Sequence, residues 1–307
     1  MVLVSFPDSS WAQEVGPVDG VDPVLWNPSD GQPPGPVELM VAPYLFDAAP
    51  LAVVAEVPSV RLVQLLTAGY DSALATLPPD VAVANAGGVH DASTAELAVG
   101  LVLASLRGIP EAVRAAADGH WGDGRTRASL ADRRVLVVGY GSVGRAVATR
   151  LAAFEVRLTA VASRARAGDD LVERVHGVNE LPALLRDAEV VVVVVPLTDG
   201  TRGLVGEEFL AALPDDALVV NIARGPVADT AALLRHAGRL AVALDVTDPE
   251  PLPDGHPLLT APRTLITPHV GGNTTAFRPR ALRFLREQLA RVAAGEEPAA
   301  VVRAGTR

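Results

Sequence analysis

The chain of 307 residues contains no cysteine. That excludes disulfides, thiolate nucleophiles, iron–sulfur clusters and cysteine-ligated zinc. It contains no lysine either, since all 26 basic residues are arginine. Schiff-base and pyridoxal chemistry are thereby excluded, as is any nucleotide loop that relies on a phosphate-binding lysine. Long apolar runs are missing too. The densest, Val190 to Val195, falls far short of the roughly 20 residues that span a bilayer. Residues 1–10 lack the basic segment that opens a secretory signal, so the expected location is cytoplasmic, away from membranes. Base is scarce at one end. Residues 1–93 carry 11 acids against Arg61 alone, whereas residues 94–307 balance 25 arginines against 25 acids. An acidic first third has no basic patch to neutralise phosphates, which argues against a nucleic-acid partner and disfavours a highly anionic substrate.

What is present is apolar and finely divided. Nearly half of the residues are apolar, and the length suits two domains. Val2–Phe6, Glu38–Ala42, Arg61–Leu66 and Val81–Ala84 read as strands separated by helix-length segments. The same alternation resumes with Arg134–Val138, Leu158–Ala162, Val190–Val195, Ala217–Ile222, Leu240–Val246 and Thr264–Thr267. Short buried strands alternating with helices indicate α/β architecture with doubly wound parallel sheets. Between the two sets runs a helical pattern from about Ser93 to Gly119. Ser93 and Glu96 fit a capping box, and Pro110 should kink or break the run. A last helix, about Ala276–Ala294, precedes an extended tail, Ala299–Val302.

One strand ends in a nucleotide-binding pattern. After Val135–Val138 comes Gly139-Tyr140-Gly141-Ser142-Val143-Gly144, which opens a helix. The first glycine makes the tight turn and the second admits a pyrophosphate to the backbone. The third lets strand and helix pack closely, with the helix N-terminus facing the phosphates. An acidic residue that would hold the ribose hydroxyls of NAD is expected about 20 residues on. Ala162-Ser163-Arg164-Ala165-Arg166 stands there instead. A hydroxyl and two guanidiniums suit a 2′-phosphate, so Ser163, Arg164 and Arg166 favour NADP over NAD. The plainer reading is a solvated arginine pair.

Three later strand ends carry polar groups, where open α/β sheets bind ligands. They are Asn221-Ile222-Ala223-Arg224-Gly225, Asp245 to Pro251, and Thr267-Pro268-His269-Val270-Gly271-Gly272. Arg224 could bind a substrate carboxylate and polarise a carbonyl. His269 could give up a proton, and Glu250 could keep it protonated near neutral pH. Singly, each has a structural alternative: Arg224 as a cap or ion-pair partner, Glu250 as surface charge, His269 as a loop histidine. His256 is the nearest rival, in a proline-rich loop. No metal site is expected.

Over nearly its whole length the chain resembles the D-isomer-specific 2-hydroxyacid dehydrogenase family. The likeness rests on Thr67-Ala68-Gly69-Tyr70-Asp71, Asn85 through Glu96, the GYGSVG loop, Val195-Pro196-Leu197-Thr198, NIARG, DVTDPEP and TPHVGGNT. The resemblance implies a flavodoxin-like substrate domain (1–93 plus 276–307) and a Rossmann cofactor domain (94–275), with the active site in the cleft between them. It implies Arg224, Glu250 and His269 as the catalytic set. Asp245 would anchor the nicotinamide carboxamide, with Gly139, Gly141, Ser142, Val143, Gly144 and Pro196 also toward the cofactor. The amides around Ala68 and Gly69 would hold the substrate carboxylate, and the chain would form a homodimer.

The expected reaction is reduction of a small 2-keto acid by NAD(P)H to the D-2-hydroxy acid. Glyoxylate or hydroxypyruvate leads, and D-lactate or a branched 2-hydroxy acid is the alternative. Tyr44, Leu45 and Tyr70 are candidates for the pocket wall. A nucleotide-sensing protein without turnover is the reading from another class.

Overall fold

The computed structural model describes every residue except Leu45 and Phe46, so the pocket-wall candidate Leu45 lies outside the described residues. The chain forms two compact units, Met1–His90 with Thr275–Arg307, and Asp91–Thr274.

The first unit is built on β1 (Val2–Phe6), β2 (Val21–Leu25), β3 (Leu39–Val41), β4 (Leu62–Gln64) and β5 (Ala82–Ala84). These lie parallel in the order 2-1-3-4-5, the flavodoxin arrangement. Helix α1 (Ser9–Val15) starts on Asp8, whose carboxylate accepts from the Ser10 and Trp11 amides, and α2 (Asp71–Thr76) follows β4. The short strands β3 and β4 are buried throughout, as a parallel sheet covered on both faces requires. Strand β2 departs from the sequence reading. It is absent from the strands read there, and it tolerates Pro23 as an edge strand, where a proline need not supply a ladder hydrogen bond.

The second unit opens with α3 (Asp91–Arg107) and α4 (Ile109–Ala117), which meet at a bend of 68°. The capping box expected at Ser93 and Glu96 does not form. The helix has already begun at Asp91; Ser93 Oγ bonds Thr274 Oγ1 at 2.7 Å, and Glu96 pairs with Arg150. The break falls at Gly108, with φ of 64°, and Pro110 sits in the first turn of α4, where its missing N–H has no partner to lose. The sheet follows with β6 (Arg134–Val138), α5 (Ser142–Ala152), β7 (Arg157–Ala162), β8 (Arg166–Ala167), β9 (Arg174–Gly177), α6 (Leu181–Leu185) and β10 (Val190–Val193). Then come α7 (Glu207–Ala212), β11 (Leu218–Asn221), α8 (Thr230–His236), β12 (Ala241–Leu244) and β13 (Thr264–Ile266). Strand order is 13-12-11-10-6-7-9-8, parallel except for β8 against β9. Alternate residues feed opposite faces: Leu136, Val138, Val191 and Val193 join one core, and Val135, Val137, Val190 and Val192 the other. Both faces are therefore dry. Connections reverse direction between β6 and β10, the switch point at which doubly wound sheets bind ligands.

The chain returns to the first unit through α9 (Phe277–Ala293) and β14 (Val301–Arg303), which pairs antiparallel with β5. This segment brings seven arginines against three acids. Two of them pair with the acidic N-terminal part, Arg278 with Glu14 and Arg307 with Asp80. The folded unit is thus less one-sided in charge than residues 1–93 suggest, which weakens the argument against an anionic substrate. No single helix among the described residues is long and apolar enough to cross a membrane.

Candidate active site

Arg224, Glu250 and His269 lie on three loops that follow β11, β12 and β13, neighbouring parallel strands of one sheet. The first loop is braced by Asn221, whose side chain accepts from the Ala223 amide and donates to the Arg224 carbonyl. It is also pressed against the second. A Cβ on Gly225 would lie 1.8 Å from the Thr247 carbonyl oxygen, so only glycine permits this approach. Arg224 Nη1 donates to the Ala223 carbonyl at 2.7 Å. The third loop hangs on Asp245. Its buried carboxylate accepts from Thr267 Oγ1 at 2.6 Å and from the amides of Val270 and Gly271 at 2.9 and 2.8 Å. The His269 amide donates to the Asp245 carbonyl at 2.8 Å, and His269 itself has a left-handed φ of 53°.

This framework brings the imidazole onto the carboxylate. His269 Nδ1 and Glu250 Oε1 are 2.5 Å apart, and the Thr247 amide donates to Glu250 Oε2 at 3.3 Å. Burial by itself would raise the Glu250 carboxyl. The bond and charge of His269, the Thr247 amide and the nearby charge of Arg224 outweigh it and hold the group below its ordinary value. Glu250 is therefore a carboxylate at neutral pH and can only accept, so the proton in this bond is on Nδ1. The assembly contains an acid-base dyad beside a fixed cation. The other notable histidines are engaged locally: His90 with the Leu66 carbonyl, His176 with Glu180, His236 with Glu207. His256 caps a short 3-10 turn by accepting from the Leu258 amide.

The glycine loop fits a dinucleotide phosphate. A Cβ on Gly144 would lie 1.9 Å from the Gly139 carbonyl oxygen, and one on Gly139 2.8 Å from Val194 backbone. Both are demanded by the fold. At Gly141 a Cβ would meet nothing within 4 Å, which leaves space for an incoming group. Gly141 precedes α5 without a side-chain cap, so the amides of Ser142, Val143 and Gly144 open the helix toward that space. Tyr140 is buried with its hydroxyl on Asp169; burial, then that bond, pushes the phenol up to about 12. Ser163 and Arg164 are exposed beyond β7. Arg166 returns from β8 to donate to the Tyr140 carbonyl at 2.5 Å. Pro196 follows β10, its carbonyl accepting from Thr201 Oγ1.

Ala68 and Gly69 belong to the first unit, where Asn85 Nδ2 donates to the Ala68 carbonyl at 2.6 Å and Thr67 Oγ1 to that of Gly69 at 2.7 Å. Tyr44 contacts the rings of His90 and Phe277, and Tyr70 packs against the apolar core. Sequence reasoning passed over the bracing residues Asn85, Asn221, Gly225, Thr247 and Thr267. All fall within the motif runs, but what they brace depends on folded contacts. Among the described residues no cluster of three acidic or histidine side chains is placed to hold a metal.

Residues 99–271 match the family described as D-isomer specific 2-hydroxyacid dehydrogenase, NAD binding domain. A glyoxylate reductase of Thermofilum pendens is 32% identical over 257 residues, covering 80% of this chain and 75% of that protein. A mouse glyoxylate reductase/hydroxypyruvate reductase is 33% identical over 229 residues, covering 72% and 70%. A crystal structure of a D-isomer specific 2-hydroxyacid dehydrogenase from Xanthobacter autotrophicus Py2, in complex with NADPH and MES, is 32% identical. It superposes with a TM-score of 0.81 over 98% of this chain and 97% of that one.

Proposed function

The chain belongs to the D-isomer specific 2-hydroxyacid dehydrogenase family, NAD(P)-dependent oxidoreductases, and on that premise we propose that it reduces glyoxylate or hydroxypyruvate to the 2-hydroxy acid, with Arg224, Glu250 and His269 as its catalytic set. The observation that carries the reading is the 2.5 Å contact between His269 Nδ1 and Glu250 Oε1 beside Arg224. A reduced nicotinamide, when bound, supplies the hydride that reaches the keto carbon. Arg224 holds the substrate carboxylate and offsets the negative charge that grows on the keto oxygen. With Nδ1 on the carboxylate, proton delivery to that oxygen falls to His269 Nε2. Glu250 orients the ring and stabilises its charged form. We take the first unit as the substrate domain, with the amides around Ala68 and Gly69 toward the substrate carboxylate, and the second as the cofactor domain.

The loop Gly139–Gly144 with Pro196 and Asp245 would hold the dinucleotide. The 2′-phosphate of NADPH is read by Ser163, Arg164 and Arg166, where no carboxylate stands at Ala162 to repel it. The similar Xanthobacter enzyme was crystallised with NADPH, which favours the same choice. We place the chain in the cytoplasm and read it as a homodimer through the cofactor domain, at α4. That helix of nine residues has no buried residue, and its Ile109 and Val113 are exposed, as is Trp121 in the segment that follows. So short a helix is marginal without a packing partner, and an exposed apolar face of this kind is suited to a second copy.

The test is the initial rate of NADPH and NADH oxidation with glyoxylate, hydroxypyruvate, pyruvate and a branched 2-keto acid. Fast turnover of either of the first two with NADPH is the expected result. Preference for pyruvate or a branched acid would shift the substrate to D-lactate or its branched analogues. Absence of all turnover in protein that binds nucleotide would favour a sensor.

A further inference from the structure

Beside the dinucleotide loop lies a surface cavity of about 230 Å³ whose walls include Tyr140, Gly141, Ser142, Arg145, Arg166 and Asp169. It adjoins both the opening of α5 and strand β8, the segment read above as part of the 2′-phosphate site. Two guanidiniums line it, and they are engaged differently. Arg166 donates to the Tyr140 carbonyl and lies over that ring, 5.9 Å from its centroid, with no carboxylate paired to it among the described residues. Arg145 is held by two: its Nε donates to Asp169 Oδ2 at 3.0 Å and its Nη2 to Asp170 Oδ1 at 2.6 Å. These bonds raise the Arg145 guanidinium above its ordinary value, Asp169 contributing most.

The two carboxylates are not equivalent. Asp169 also accepts from the Tyr140 hydroxyl and from the Leu171 and Val172 amides, so it fastens the turn after β8 to the glycine loop. Asp170 is 72% exposed and bonds only Arg145 among the described residues. Asp169 builds the loop; Asp170 adds charge.

We infer that Asp169 and Asp170 hold Arg145 out of the recognition of the adenosine 2′-phosphate, so that Asp170 sets how strongly the chain prefers NADPH over NADH. The inference rests on the proposed reading of Ser163–Arg166. A phosphomonoester carries roughly two negative charges, and a carboxylate at the edge of its cavity both repels it and cancels a cation that would attract it. NADH lacks that phosphate and is indifferent to the balance. The site is open to water, so the effect is modest and weakens with salt.

The experiment measures kcat/KM for both cofactors at two ionic strengths in the full chain, with thermal unfolding to verify folding. Asp170→Asn should raise the NADPH-to-NADH ratio roughly two- to fivefold at low salt and less at high salt. Asp170→Glu, which keeps the charge, should restore the wild-type ratio. Arg145→Gln combined with Asp170→Asn should lose the gain. An unchanged or lower ratio in Asp170→Asn overturns the inference. Arg164→Asp separates the two levels. If wild type shows no NADPH preference for it to abolish, the reading of Ser163–Arg166 fails and the inference with it. If Arg164→Asp abolishes a preference that Asp170→Asn leaves unmoved, the inference alone is overturned.

Discussion

Glu250→Gln isolates the charge in the dyad. The carboxamide is nearly isosteric and its oxygen can still accept from His269 Nδ1, so the ring keeps its orientation while the negative charge goes. Charge-assisted hydrogen bonds contribute about 1.5–3 kcal/mol. His269 and Glu250 are 31% and 37% exposed, and water screening places this pair toward the lower end, about 1.5–2 kcal/mol. If that stabilisation is realised in the transition state, where the imidazole gives up its proton beside the carboxylate, kcat/KM falls roughly 10- to 30-fold. The assay is initial-rate oxidation of NADPH with glyoxylate across neutral to alkaline pH. The same substitution has a stability signature. Glu250 is held below its ordinary value of 4.5, so the native state binds its proton less readily than the unfolded chain. Its contribution is fully present above that ordinary value and is lost as pH falls through the lowered one. Wild type should therefore exceed the variant in denaturant stability near pH 7, with the gap closing on acidification. A correctly folded variant with kcat/KM within twofold of wild type at every pH would refute the dyad.

His269→Gln should lower kcat about 10²- to 10⁴-fold while leaving NADPH affinity, read by fluorescence titration, nearly unchanged; retention of activity would end the proton-donor assignment. The two glycine substitutions should separate. Gly141→Ala has open space and should unfold normally while its NADPH dissociation constant rises by roughly tenfold. Gly144→Ala places a methyl 1.9 Å from the Gly139 carbonyl oxygen and should cost about 2 kcal/mol or more in denaturant unfolding. Equal behaviour of the pair would contradict the packing argument. Val113→Glu, on the exposed face of α4, should shift the chain to a monomer in sedimentation; an unchanged assembly would exclude α4 from the interface.

What could be read from the sequence was mostly local. The GYGSVG loop is legible because strand, turn and helix are consecutive in the chain. The runs NIARG, DVTDPEP and TPHVGG each announce a polar strand end after an apolar strand. Elements that depend on distant partners were harder. Strand β2 carries Pro23 and forms only because it is an edge. The β8–β9 hairpin is short and charged, so nothing in Arg166 or Arg174 marks a strand, and the return of Arg166 to the Tyr140 carbonyl spans 26 residues. The capping pattern at Ser93 was a sound local signal overruled by tertiary contact with Thr274. At the bend, Gly108 and Pro110 both disfavour a continuous helix; the left-handed φ of the glycine places the stop two residues earlier than the proline suggests.

The resemblance casts Asp245 as an anchor for the nicotinamide carboxamide, but its side chain is already heavily committed. A carboxylate offers about four acceptor positions. Thr267 Oγ1 and the Val270 amide take two on Oδ1, and the Gly271 amide takes one on Oδ2, which leaves a single position among the described residues. A buried polar group needs hydrogen-bond partners, and here they are the means by which β12 grips the loop carrying His269. The Asp245 carbonyl takes the His269 amide as well, and five residues further on Glu250 takes its ring. Backbone, loop and imidazole are thus all fixed from one strand end. The ring geometry does not wait for substrate, and in the proposed role of proton donor His269, held in place before reaction, would lose little to reorganisation when charge develops.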